Sequence, residues 1–128
     1  MSKRLFMAVA GLASVPAMAL AAPSEAGFTA ACAACHQPTG LGIPGAFPAL
    51  AGNAFVQGPA APVIATVLNG RGGMPAFKGD LDDAALAGVV SYVRTAWGNK
   101  ASPVEPADVA AVRTGGPPVP DKTMGAPH

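Results

Sequence analysis

The sequence predicts an all-α protein of three to five short helices joined by long loops, and three observations lead there. No segment alternates apolar and polar residues convincingly with a period of two, so no strand is indicated. Three segments instead repeat apolar residues at intervals of three and four, the spacing of one helical face. Between them, 16 glycines and 14 prolines in 128 residues break the chain into turns.

The first helix is predicted over residues 24–34, where Phe28 and Cys32 stand four apart and Cys35 follows one turn on, all on one face. Pro62 suits the start of a second, Val63, Ile64, Val67 and Leu68 form its apolar stripe, and Asn69 with Gly70 stops it. The third is the clearest. Asp82 fits the N-cap, Leu81 and Leu86 flank it as a hydrophobic staple, and Leu86, Val89, Val90, Val93 and Trp97 continue the stripe until Gly98. Pro106 opens a brief further helix to Arg113, and residues 114–128, with four prolines, read as a disordered or extended tail.

Composition narrows the function. Eight Lys and Arg against seven Asp and Glu, with charged residues at 12% where about 25% is usual, leave no basic footprint for nucleic acid. Aromatics at 5% give few bulky side chains for a core, so a chain of this kind needs a covalent or bound staple. Lys3 and Arg4, the uncharged stretch 5–23, and Ala19 and Ala21 around Leu20 describe a secretory signal peptide cleaved after Ala21. An uncleaved anchor is the alternative, weakened by Pro16 and the many alanines. The expected organisation is therefore a signal peptide over 1–21, a domain over 22–100 and a proline-rich, partly disordered C-terminal extension over 101–128. The expected location is periplasmic, with no membrane span after cleavage.

Export puts thiols in an oxidising compartment, where they pair, bind metal or enter other covalent chemistry. Both cysteines lie in Cys32, Ala33, Ala34, Cys35, His36, and this C-x-x-C-H spacing is the c-type haem attachment signature. Sulfurs three residues apart on one turn reach the two vinyl groups of one haem edge, and the adjacent imidazole reaches the iron. Other uses of these residues are each short of a partner. A thioredoxin-like dithiol wants a preceding strand, where residues 26–34 are alanine-rich; a zinc site wants a fourth ligand, for which only His128 or a carboxylate is available; and a plain disulfide leaves His36 without a role. One haem c held through Cys32 and Cys35 is the expected cofactor, with His36 as one iron ligand.

The second ligand of an electron-transfer haem is commonly methionine. Met1, Met7 and Met18 fall in the leader, leaving Met74 and Met124. Met74 follows Gly72 and Gly73 and precedes Pro75, in a loop whose glycines permit close backbone approach, whereas Met124 lies in the tail. Met74 is the candidate. Phe47, Leu50, Ile64, Leu68 and Phe77 are candidates for the pocket wall, and Arg71 either faces a haem propionate or is solvated.

With Cys32 to His36, the Pro48, Ala49, Leu50 segment, the Gly73, Met74, Pro75 loop and the helix through Tyr92 in this order, residues 24–99 resemble class I cytochromes c. The resemblance implies a cytochrome c fold, with Phe28 packed against the helix carrying Tyr92, the Pro48 carbonyl accepting from the His36 imidazole, and Leu50 lining the haem pocket. One departure stands out. The glycine that lets the two helices cross closely in this family is replaced by Ser24, and Gly27 does not occupy its position, which implies a shifted or wider crossing. Residues 97–113 are similar to the extension of cytochrome c modules that accept electrons from periplasmic dehydrogenases.

The expected function is a periplasmic monohaem electron carrier, not an enzyme, taking single electrons from a dehydrogenase and passing them to a terminal oxidase or another cytochrome. Two alternatives are a cytochrome subunit held firmly in a dehydrogenase or oxidase complex, with the tail as docking strap, and a haem enzyme or sensor with Met74 unbound and an open sixth position.

Overall fold

The computed structural model describes residues 21–116. Nearly all of the expected signal peptide, with Met124 and His128, lies outside the described residues. Among the described residues there are six helices and no strand: α1 (Glu25–Ala31), α2 (Ala33–His36), α3 (Ala54–Gln57), α4 (Ala60–Asn69), α5 (Asp83–Thr95) and α6 (Pro106–Arg113). The only extended pairings among these residues are the isolated bridges of Ile43 with Phe47 and Arg71 with Met74. The all-α expectation holds. The helix count exceeds three to five because the first helix is broken and because α3, with only four residues, is too short to show a period.

The break is at Cys32. Ser24 caps α1 by accepting from the Gly27 N–H at 2.9 Å. Cys32 then ends α1 and begins α2 with φ −124° and ψ −31°, so the single helix expected over 24–34 is two. The turn re-aims the chain and leaves both Ala33 and His36 buried. Asn53 caps α3, its carboxamide oxygen accepting from the Phe55 and Val56 N–H groups. The second predicted helix is α4, begun two residues earlier than expected and stopped at Gly70, which has φ 75°. Asp82 caps α5 through the Ala85 N–H at 2.8 Å. α5 ends at Thr95, short of the expected stop at Gly98. Trp97 lies beyond the helix with φ 52° and turns back toward the interior.

The core has two parts. In one, Val63, Ile64 and Leu68 of α4 meet Leu86, Ala87 and Val90 of α5 and Val104 and Val109 of the extension. In the other, Phe28, Ala33, Val56 and Val93 pack together, with Cys32, Leu50, Tyr92 and Trp97 against them. The extension is thus part of the interior as far as α6, and Val109 is wholly buried. Buried polar groups fasten it. The Ser91 hydroxyl donates to the Val104 carbonyl and accepts from its N–H. Arg94, 1% exposed, donates to the carbonyls of Ser102, Val56 and Gly58, joining α5 to the extension and to α3.

The crossing of α1 and α5 corrects one expectation. A Cβ on Gly27 would meet Val89 Cγ2 at 2.9 Å, and one on Gly88 would meet the Ser24 Cβ at 3.1 Å. Gly27 therefore does supply the close approach, with Gly88 opposite, and the Ser24 N–H donates to the Gly88 carbonyl at 2.9 Å. No helix among the described residues is long and apolar enough to cross a membrane.

Candidate functional site

The two cysteines and His36 are presented by the turn between α1 and α2. The Cys35 and His36 N–H groups both donate to the Cys32 carbonyl, at 3.2 and 3.0 Å, which closes the segment into one tight turn. Both cysteines are free thiols and half-buried. Burial, with a smaller contribution from neighbouring Cys35, pushes the Cys32 thiol up to about 11, so it is protonated at neutral pH.

His36 is buried, and its Nδ1 lies 2.9 Å from the Pro48 carbonyl oxygen. A carbonyl only accepts, so Nδ1 carries a proton, and in the neutral ring Nε2 is the atom with the free lone pair. That is the arrangement of a metal-ligating histidine held by an outer hydrogen bond, which fixes both tautomer and ring orientation. The Pro48 segment is fixed in turn. The Leu50 and Ala51 N–H groups donate to the Gly40 carbonyl at 2.7 and 3.0 Å, and the Gly42 N–H donates to the His36 carbonyl at 2.9 Å. Leu50 is packed with Cys32 against the cluster around Phe28.

Met74 sits in a separate tight turn after α4. It exchanges two backbone hydrogen bonds with Arg71, at 3.0 and 3.2 Å, and is half-buried. The far side of this loop is tied to α4 through the Phe77 and Lys78 N–H groups, which donate to the Val67 and Leu68 carbonyls. The guanidinium of Arg71, an exposed residue, lies 5.9 Å from the centroid of the Phe55 ring.

The surface beside these residues is apolar. Among the described residues, Leu41, Ile43, Phe47 and Phe55 are the large hydrophobic side chains left exposed, and all fall within residues 41–55. Leu41, Phe47 and Pro48 border an open concavity of about 380 Å³. This fits a large apolar group with a metal at its centre: thiols for attachment, one oriented imidazole, and uncovered hydrophobic side chains around the residue that orients it. Two expected wall residues do not take part in that surface. Ile64 and Leu68 are fully buried against α5 and the extension.

The aromatic contact implied by the resemblance is present, with Phe28 and Tyr92 ring centroids 5.4 Å apart. A third ring joins them, since Trp97 lies 5.1 Å from Phe28 and 5.4 Å from Tyr92, in edge-on geometry. Two further side chains hold the loop around His36 in ways the sequence does not indicate. Trp97 Nε1 donates to the Pro38 carbonyl at 3.0 Å, and Asn99, 4% exposed, bonds to both Leu50 and Gly52. The sequence places Trp97 on the apolar stripe and Gly98 at the helix stop, and neither signal points to these long-range bonds.

The family model described as cytochrome c oxidase, cbb3-type, subunit III matches residues 19–93. The chain is 37% identical over 101 residues to the cytochrome c subunit of alcohol dehydrogenase (quinone) from Gluconobacter oxydans, covering 69% of this chain and 21% of that protein. It is 37% identical over 97 residues to cytochrome c-552 of Thermus thermophilus, 64% of this chain and 66% of that protein. With cytochrome c6 of Leptolyngbya boryana it shares 44% identity over 69 residues, 52% of this chain and 80% of that protein. The chain thus spans about a fifth of the dehydrogenase subunit's length and about two thirds of cytochrome c-552. Since the family model runs from residue 19 through the thiol turn and the Met74 loop into the helix that carries Tyr92, this chain belongs to the cytochrome c family that this model describes.

Proposed function

We propose that this chain is an exported, periplasmic monohaem electron carrier, with one haem c attached through Cys32 and Cys35 and its iron held by His36 and Met74. The bound haem would supply one-electron chemistry between ferric and ferrous iron. The observation that carries the reading is the 2.9 Å contact of His36 Nδ1 with the Pro48 carbonyl, which commits Nε2 to act as the donor. The Pro48 carbonyl accepts the ring proton and raises the basicity of that donor atom. The thioether of Met74 is a soft ligand that favours the reduced state, and the Arg71 to Met74 turn holds it in place. Leu41, Ile43, Phe47 and Phe55 are exposed apolar side chains that would exclude water once covered by the haem, which disfavours the more charged oxidised form. No residue moves a proton in this function; the chain's work is to bind, orient and exclude solvent.

Its partners would be a periplasmic dehydrogenase as donor and a terminal oxidase or second cytochrome as acceptor, met through small transient interfaces. The likeness to a dehydrogenase's cytochrome subunit over 69% of the chain favours one second reading, a subunit held within such a complex. Purification from the native host separates the two: a carrier elutes as a small free protein, and a subunit elutes with its enzyme. The central reading is tested by a pyridine haemochrome assay on protein matured in a host that attaches haem c. One haem per chain, retained in acidified acetone, is expected; a colourless protein overturns it.

A further inference from the structure

We infer that Asn99 is a positioning residue for the His36 imidazole, acting through the backbone of residues 48–52. This rests on His36 being an iron ligand, as proposed above. Asn99 follows α5 by four residues and is 4% exposed, although it is a polar side chain in a turn. Its carboxamide oxygen accepts from the Gly52 N–H at 2.9 Å, and its nitrogen donates to the Leu50 carbonyl at 3.0 Å and the Val93 carbonyl at 2.8 Å. The first two bonds bracket Ala51, so the side chain pins the tight turn of residues 50–53, in which Gly52 has φ 68°, from both sides. The third bond anchors that segment to the rigid end of α5.

The consequence reaches His36 by a short route. Pro48, whose carbonyl accepts from His36 Nδ1, is two residues before Leu50, and Pro48 has a ring-locked φ. A bond from Asn53 Nδ2 to the Ala49 carbonyl, at 2.8 Å, stiffens the residue between them. The same turn grips the other side of the loop, because the Trp97 ring lies against Gly40, where a Cβ would meet its Cε3 at 2.5 Å. Gly40 is the residue whose carbonyl accepts from Leu50 and Ala51. Thus the turn 96–99 holds both the loop that leaves His36 and the segment that returns to it. Asn99 reaches that returning segment from beyond α5 with two side-chain hydrogen bonds.

The test follows the His36 Nδ1–H directly, by its hydrogen exchange in the reduced, haem-loaded protein observed by NMR. Asn99→Asp keeps the acceptor for Gly52 and loses both donations; Ser91→Ala removes an equally buried side chain whose bonds go to Val104 instead. Asn99→Asp is expected to speed exchange of the His36 ring proton about tenfold, with α6 amides unchanged, as the loss of about one or two net hydrogen bonds implies. Ser91→Ala is expected to do the reverse. Equal rates for the ring proton in wild type and Asn99→Asp, or equal acceleration in both variants, overturns the inference. Should Asn99→Asp fail to mature, the wild-type holoprotein still decides. The His36 ring proton and the Gly52 amide must then open together as denaturant is raised, and independent opening overturns the inference. Wild-type protein without covalent haem defeats the proposed function instead, and the haemochrome assay reports that separately.

Discussion

The guanidinium of Arg113, at the end of α6, lies 2.8 Å from the Asp83 carboxylate at the start of α5 and also donates to the carbonyls of Lys78 and Leu81. The extension therefore closes over the segment that follows the Met74 loop. The ion pair itself is partly exposed, 28% and 36% for the two side chains, and such pairs contribute only about 0–1 kcal/mol. Bonds from a charged donor to carbonyls contribute more, about 1.5–3 kcal/mol each before side-chain entropy is subtracted. Asp83→Asn should thus lower stability by less than about 1 kcal/mol, while Arg113→Ala lowers it by about 2 kcal/mol. Urea unfolding of the two holoproteins checks the order, and equal losses would show that the ion pair dominates.

Gly27 makes a sharper packing prediction, because only a Cα hydrogen stands where a side chain would meet Val89. Alanine in a helix is favoured over glycine by about 1 kcal/mol, but here the added methyl would lie 2.9 Å from Val89 Cγ2 and from the Ser24 hydroxyl. Overpacking of this kind costs about 1–3 kcal/mol. Gly27→Ala is expected to destabilise by about 1–2 kcal/mol net, and Val89→Ala to relieve most of that clash, so the two losses fall short of adding. A double-mutant cycle measured by denaturation gives the coupling, and strict additivity would mean the helices simply move apart.

What the sequence revealed, and what it hid, divides along the range of the interactions. The Asp82 cap, the Pro106 start and the apolar stripe of α5 are local and were legible, as was the thiol and imidazole turn. The bond from His36 to Pro48 spans twelve residues and came only through family resemblance. The break at Cys32 is invisible locally, because alanines of high helix propensity surround it and tertiary burial of Ala33 and His36 decides it. Trp97 misled for an instructive reason: it falls four residues after Val93, as a helical stripe requires, yet reaches the aromatic cluster through a left-handed turn. The role of Asn99 is not legible in the sequence, since two of its three partners lie 47 and 49 residues away.

Met74 and Met124 offer a clean contrast for the proposed sixth ligand. Met74→Ala should abolish the weak red absorption of thioether-bound ferric haem and let cyanide or carbon monoxide bind rapidly to the untreated protein. Its reduction potential should fall by on the order of 0.1–0.3 V, part of the roughly 0.8 V that axial ligands span. Met124→Ala should change none of these. If Met74→Ala leaves the potential and ligand binding as they were, the sixth position is open in the wild type and the sensor or enzyme reading replaces the carrier.

Removing the haem should remove much of the fold. Four large apolar side chains, Leu41, Ile43, Phe47 and Phe55, are exposed by 62, 41, 38 and 42%, and the segment that carries them holds no regular structure beyond α3. Ordering such a segment costs about 1–2 kcal/mol per residue in backbone entropy, and a polypeptide surface that stays wet returns little of it. The paired substitution Cys32→Ala with Cys35→Ala, which removes both proposed haem tethers, is therefore expected to lose roughly half or more of the helical far-ultraviolet signal. Residual helix should concentrate in α4, α5 and α6, whose cluster of Ile64, Leu86, Val90 and Val109 is complete without a ligand. Amide exchange would show this as protection surviving in those three helices and vanishing over residues 37–53. A thiol-free chain that unfolds cooperatively at the same midpoint as the holoprotein would mean that the loop segment is held by its own hydrogen bonds to Gly40 and Asn99, and that the haem occupies a scaffold already formed.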